Sequence, residues 1–281
     1  MKWTPGSRDN IEDRRGQGGG FGGMRGGPVG IGIVLVLLVL SVLTGRNFLS
    51  LIDPGAVTGG GAPTEAGGPV EATPEEERLV DFMDVVMKDN QDTWSQVLSG
   101  RYQRTTLVLF RQSTATACGY GQAASGPFYC PGDGKVYLDL SFFDELHRRF
   151  GAPGDFAQAY VVAHEVGHHV QNILGIERRM RQAQQQRPDQ VNQLSVRMEL
   201  QADCFAGVWG HAAAQKGMLD VDDVDEGLRA AASIGDDRIQ RQSGGVVHPE
   251  SFTHGSSEQR VEWFRRGLQS GNPDQCDTFG R

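Results

Sequence analysis

The 281-residue sequence predicts an α+β domain, a small early sheet followed by helices, carried behind an N-terminal transmembrane helix. Three observations lead there. Short β-prone runs at Leu107–Phe110 and 135–140 are bounded by Gly- and Pro-containing stretches. From residue 155 onward, apolar residues recur at steps of three and four, the period of a helix with one buried face. The first 72 residues hold Gly, Pro and polar residues around a single uncharged apolar run.

In chain order, residues 1–28 include GQGGGFGGMRGG at 16–27 and offer too little apolar surface to fold, so they read as a segment apart. The run at 29–45 is at the short end for a membrane span. It reads as a signal anchor because the charged region before it is long and no A-x-A-like cleavage site follows. Lys2, Arg8, Arg14, Arg15 and Arg25 precede it, and only Arg46 follows before Arg78. That asymmetry places residues 1–28 in the cytoplasm and the domain outside it, periplasmic or on the cell surface. Residues 46–72 are rich in Gly, Pro, Ala and Thr and read as a flexible linker. The folded domain then spans 73–281.

Thr73-Pro74-Glu75-Glu76 is a helix start with a capping box and proline in the first turn, and a second helical piece holds Trp94, Val97 and Leu98. After the two strand candidates, a helix is expected over Asp155–Leu174, with Phe156, Tyr160, Ala163, Gly167, Val170 and Leu174 on one stripe. Asp155 is the expected N-cap, and Gly175 stands just past the end. The segment 176–186 is highly polar and Pro188 breaks it. Further helices are expected over about 189–215, over Asp222 to about Ser233, and from Ser256, where Ser256 and Gln259 form a capping box. The chain has 27 Lys and Arg against 35 Asp and Glu, a net charge of −8, which argues against a nucleic-acid partner.

Within the 155–174 helix lies His164-Glu165-Val166-Gly167-His168. Residues four apart share a helix face, so both imidazoles can reach one metal ion, with Glu165 beside them to accept a proton from a bound water. A catalytic zinc needs a third protein ligand and an open position. The longer signature that supplies a third histidine fails, because Gln171 and Leu174 occupy its Gly and His positions. Glu199 and Asp203 are the better candidates. They are four apart beside a core stripe of Leu194, Met198, Ala202, Phe205 and Trp209, so Glu199 can ligate while Asp203 orients a ligating histidine. His169 is rotated off the metal face and reads as structural, and His147, His211 and His248 have no supporting pattern. Of the three pairings open to four cysteines, the Gly-rich loop between Cys118 and Cys130 favours a local disulfide, leaving Cys204 with Cys276. A cysteine zinc site lacks any C-x-x-C spacing.

HEVGHHVQN at 164–172, ELQADCFAGVW at 199–209, THGSSEQR at 253–260 and CGYGQAASGPFYCPGDGKVYLDLSFF at 118–143 resemble the gluzincin metallopeptidases. More narrowly, they resemble the neutral zinc metallopeptidase family of bacterial membrane proteins, over roughly residues 73–281. The resemblance implies a zincin-like domain holding one zinc ion on His164, His168 and Glu199. Glu165 would be the general base, and the substrate a peptide or protein. It also implies a cleft-edge strand at 135–140 and a side-chain donor opposite the zinc, for which His254 is favoured over Arg260. The contrasting reading is a non-catalytic membrane scaffold with a structural zinc. Retention of Glu165 separates the two, since a structural site needs no base.

Overall fold

A computed structural model describes residues 1–17 and 70–280 of the chain. The apolar run at 29–45 and residues 46–69 of the expected linker lie outside the described residues. The chain divides into two compact units, Met1–Gly16 with Pro69–Arg281, and Gln17–Gly68. Every element below belongs to the first.

The chain opens with strand β1 (Ile11–Asp13). Helix α1 (Pro74–Val97) starts where Thr73 Oγ1 accepts the Glu76 amide at 3.2 Å, and Pro74 occupies a position whose N–H has no partner to lose. No break separates it from Trp94, so the two helical pieces expected at 73–98 are one helix. The sheet strands are β2 (Leu107–Phe110), β5 (Phe128–Cys130) and β6 (Lys135–Asp139). Between β2 and β5 an antiparallel hairpin is inserted, β3 (Ser113–Thr116) and β4 (Gly119–Gln122). The main sheet has the order β1-β2-β6-β5, in which the first two pairings are parallel and the last antiparallel.

Alternation along these strands sends side chains to two cores. Leu107, Leu109, Val136 and Leu138 face the helices. Val108, Phe110, Tyr137 and Cys130 form a smaller core on the other face, where the Phe128 ring stacks on Tyr137 at 5.0 Å. The strand at 135–140, expected at the cleft edge, is therefore interior, because β5 pairs with it on the outer side. Only three residues long and bounded by Pro127 and Pro131, β5 is too short to show a period.

The helices follow as α2 (Phe142–Arg148), α3 (Asp155–Ile173), α4 (Ile176–Gln186), α5 (Val191–Gln215), α6 (Asp223–Ser233), α7 (Asp236–Gln242) and α8 (Ser257–Ser270). Gly154, not Asp155, is the N-cap of α3, and Gly175 takes the left-handed conformation (φ 66°) expected past its end. The capping box of α8 is present in both directions, Ser256 Oγ with the Gln259 amide and Gln259 Oε1 with the Ser256 amide. On α3, Phe156 stacks on Trp209 at 5.8 Å, and Tyr160 meets Phe264 edge-on at 5.0 Å. Gly167 lets α3 and α5 approach closely, since a Cβ there would stand 3.0 Å from the Ala202 carbonyl oxygen. That approach carries the metal motif of α3 onto the Glu199 helix.

Residues 1–16 correct the expectation of a separate N-terminal segment. β1 runs parallel to β2, with Ile11 opposite Leu107 and Asp13 opposite Leu109. The buried Asp84 on α1 accepts from the Arg8 amide (3.1 Å), the Asn10 amide (3.1 Å) and Asn10 Nδ2 (2.9 Å). Arg15, also buried, pairs with Asp13 (2.7 Å), Glu76 (3.0 Å) and Glu77 (2.7 Å). Polar and backbone bonds, with Met1, Trp3 and Ile11 packed on the main core at scattered positions, hold this segment, which is why no apolar period gives a sign of it. The localisation is corrected with it: one membrane crossing between β1 and β2 would leave two paired strands on opposite faces of a bilayer. Among the described residues, no helix is long and apolar enough to cross a membrane. Asn10→Ala should lower stability by about 1–3 kcal/mol in urea denaturation, because it strips partners from buried Asp84 and Gln91. Unchanged stability would show that residues 1–16 do not contribute to the fold.

Candidate metal centre

The site is built where α3 crosses α5. One ligand atom each from His164, His168 and Glu199 lies within 4.8 Å of the others. His164 Nε2 is 3.2 Å from Glu199 Oε2, and His168 Nε2 is 3.5 Å from Glu199 Oε1. The one-turn spacing of the histidines sets their rings at 90° with centroids 4.8 Å apart. Each ring is held through its other nitrogen. His164 Nδ1 meets Asp203 Oδ1 at 2.8 Å, and His168 Nδ1 meets Gln171 Oε1 at 2.9 Å. Both acceptors hold a proton on Nδ1, so a metal bound beside Glu199 would take the place of the Nε2 protons that otherwise face its carboxylate.

Asp203 is the hub behind the first ring. Fully buried, it accepts from His164, from the Tyr160 hydroxyl at 2.5 Å, and from Arg260 Nε and Nη2, both at 2.9 Å. Burial alone would raise its pKa, but the Arg260 and His164 charges outweigh burial and hold the carboxyl below its ordinary range. Glu199 behaves alike: burial pushes upward, and the His168 charge with hydrogen bonds from both histidines takes it well below. Burial lowers His164, yet the Asp203 charge and hydrogen bonds to Asp203 and Glu199 lift it to about 10. The donor set thus calls for positive charge among the imidazoles and Glu199. Two imidazole nitrogens and one carboxylate, with a cleft on the fourth side, fit a zinc ion of the catalytic type.

The cleft, about 650 Å³, is lined by His164, Glu165, His168, Glu199, His254 and Arg260, and by β5 residues Phe128 and Tyr129. Glu165 is 8% exposed, and its carboxylate has no hydrogen-bond partner among the described residues. His254 stands across the cleft on the loop before α8. Asp236 Oδ2 gathers the amides of Thr253 (2.7 Å), His254 (2.6 Å) and Gly255 (3.1 Å), and Asp236 Oδ1 meets His254 Nδ1 at 3.1 Å. Hydrogen bonding to Asp236 raises the His254 pKa, against burial. Arg260, the other donor the sequence offers, is committed to Asp203 through two nitrogens.

His169 faces away from the candidate metal ligands, as its i+5 position requires. Its Nε2–H donates to the Gln103 carbonyl (2.6 Å), and Nδ1 accepts from the Tyr129 hydroxyl (3.0 Å), whose oxygen also accepts from Asn172 Nδ2 (2.9 Å). Burial lowers its pKa, which keeps the ring neutral for this pattern. It fastens the edge strand β5 to the metal helix. Disulfides join Cys118 to Cys130 and Cys204 to Cys276, so both local and tail pairings stand as expected. Spacing along the chain gives no sign of Tyr160, Gln201 or Asp236 as site residues. Gln171 alone carries a signal, as the residue that breaks the longer histidine signature.

A family profile described as "Putative neutral zinc metallopeptidase" matches residues 1–279. The uncharacterized protein YpfJ of Escherichia coli strain K12 is 49% identical, over 100% of this chain and 99% of that protein. The uncharacterized protein Rv2575 of Mycobacterium tuberculosis strain H37Rv is 46% identical, over 66% of each chain. No solved structure matches the chain.

Proposed function

The chain belongs to the neutral zinc metallopeptidase family, and from that premise we propose that it is a zinc-dependent endopeptidase. His164, His168 and Glu199 are the metal ligands in this reading, and Glu165 is the general base. The observation that carries it is the Glu165 carboxylate, nearly buried, without a protein partner among the described residues, and open to the cleft beside the three ligands. A structural metal site gives such a carboxylate nothing to do.

A zinc ion held by His164, His168 and Glu199 would supply Lewis acidity to a bound water and to the substrate carbonyl. Glu165 takes the proton from that water and passes it to the leaving amine, so no other acid is needed on its side of the cleft. Asp203, itself fixed by Arg260 and Tyr160, holds His164 in the ligating tautomer. The free edge of β5 offers backbone groups to an extended peptide, and His169 keeps that edge in place. Phe142, Phe150, Val161, Ile234 and Ile239 make one wall of the cleft apolar, which suits a large apolar side chain of the substrate. The two disulfides favour an oxidising compartment.

His254, oriented by Asp236, donates to the oxyanion that develops on the attacked carbonyl. His254→Ala should cut kcat on an unstructured protein substrate by about 10²- to 10³-fold while zinc content is unchanged. Asp236→Asn should move kcat in the same direction, because it weakens the hold on the loop and ring. Zinc-loaded wild-type protein that cleaves no such substrate would overturn the peptidase reading. An effect of His254→Ala confined to KM would make that residue a substrate-binding group.

A further inference from the structure

The two metal-facing histidines are oriented by different chemistry. Behind His164 stands a carboxylate with its own cation; behind His168 stands a carboxamide, and that carboxamide is the first member of a chain. Gln171 Nε2 donates to the Met198 carbonyl at 2.8 Å and to Gln201 Oε1 at 3.2 Å. Gln201 Nε2 donates in turn to the Cys276 carbonyl at 2.8 Å. Gln171 and Gln201 are 0% and 5% exposed, so water cannot replace a lost partner.

Direction runs along this chain without ambiguity, because it ends on groups that can only accept. A backbone carbonyl has no proton to give. Cys276 therefore takes the NH₂ end of Gln201, which turns Gln201 Oε1 toward Gln171. Met198 and Gln201 Oε1 together take the NH₂ end of Gln171, which turns Gln171 Oε1 toward His168. An acceptor at 2.9 Å from Nδ1 keeps a proton on that nitrogen, so the proton that yields to a metal is the one on Nε2, beside Glu199. A flipped Gln171 would set its oxygen against the Met198 oxygen and force His168 into the tautomer that cannot ligate. The carbonyl at the end of the chain is itself held in place, since Cys276 is joined to Cys204 on α5, three residues beyond Gln201.

We propose that Gln171 and Gln201 are positioning residues that set the metal-binding tautomer of His168 from the backbone carbonyl of Cys276. The C-terminal tail thereby becomes part of the metal site without touching the metal. This rests on the metal-site reading of His164, His168 and Glu199.

Zinc affinity, measured by competition with a chromophoric chelator, tests it together with the visible spectrum of the cobalt(II)-loaded protein and the Tm of each metal-free variant. Gln171→Leu should weaken zinc by about 10- to 100-fold and alter the cobalt spectrum. Gln201→Leu, which does not touch His168, should shift affinity the same way. Gln171→Glu keeps an acceptor for His168 but sets a carboxylate oxygen against the Met198 carbonyl, so it should hold zinc nearly as wild type while its Tm falls. Lower Tm in all three variants with wild-type zinc affinity and spectra would overturn the proposal and leave the glutamines as packing. If Gln171→Leu fails to fold, Gln201→Leu decides between the same two outcomes. Wild-type protein that binds no zinc would instead overturn the metal-site reading itself.

Discussion

Glu165→Gln should retain one zinc per chain, fold as wild type and lose hydrolysis of an unstructured protein by at least about 10²- to 10⁴-fold. The substitution keeps the shape of the side chain and removes only its capacity to take a proton. The site tolerates it because the Glu165 carboxylate holds no neighbour in place: none of the hydrogen bonds that orient His164, His168 or Glu199 involves it. Folding and metal binding are thus separable from chemistry at this one position. Full activity of the zinc-loaded variant would remove Glu165 from the mechanism.

Asp203→Ala should have the largest effect on the fold. It leaves the Arg260 guanidinium buried without its carboxylate and takes an acceptor from Tyr160 and His164 at once. Breaking a buried pair by deleting one partner costs about 3–5 kcal/mol, a large part of the ordinary stability of a domain. Asp203→Asn keeps the volume and one acceptor oxygen but halves the bidentate grip on Arg260. It should fold, with zinc affinity lowered by about 10- to 100-fold. Equilibrium unfolding of both variants, with zinc titrations of Asp203→Asn, checks this. Wild-type stability in Asp203→Ala would show that Arg260 finds another partner and that Asp203 is not the hub described above.

What sequence shows and what it hides divide along a physical line. Spacing within one helix is fixed by 3.6 residues per turn, so helical periodicity by itself puts His164 with His168, and Glu199 with Asp203, on shared faces. The crossing that brings α3 onto α5 is signalled only by Gly167, a small residue in the motif. The relations that need the fold join elements far apart in the chain without periodicity: Asp236 with His254, Gln201 with Cys276, Arg260 with Asp203. β5 and β1 are hidden for another reason. Each is three residues long, too short for its apolar residues to show a period. The topology drawn from the cations of residues 1–28 loses its support because Lys2, Arg8, Arg14 and Arg15 have structural partners. Arg8 and Arg15 answer the acidic start of α1 at Glu76, Glu77 and Asp81.

Zinc K-edge absorption on the purified protein tests the metal centre most directly. The expected spectrum is that of a low-coordinate zinc with two imidazole nitrogens at about 2.0–2.1 Å, oxygen neighbours at about 2.0–2.2 Å and no sulfur, and Glu199→Ala should abolish or reshape it. A sulfur shell, a zinc without imidazole scattering, or an identical spectrum and zinc content in Glu199→Ala would contradict it.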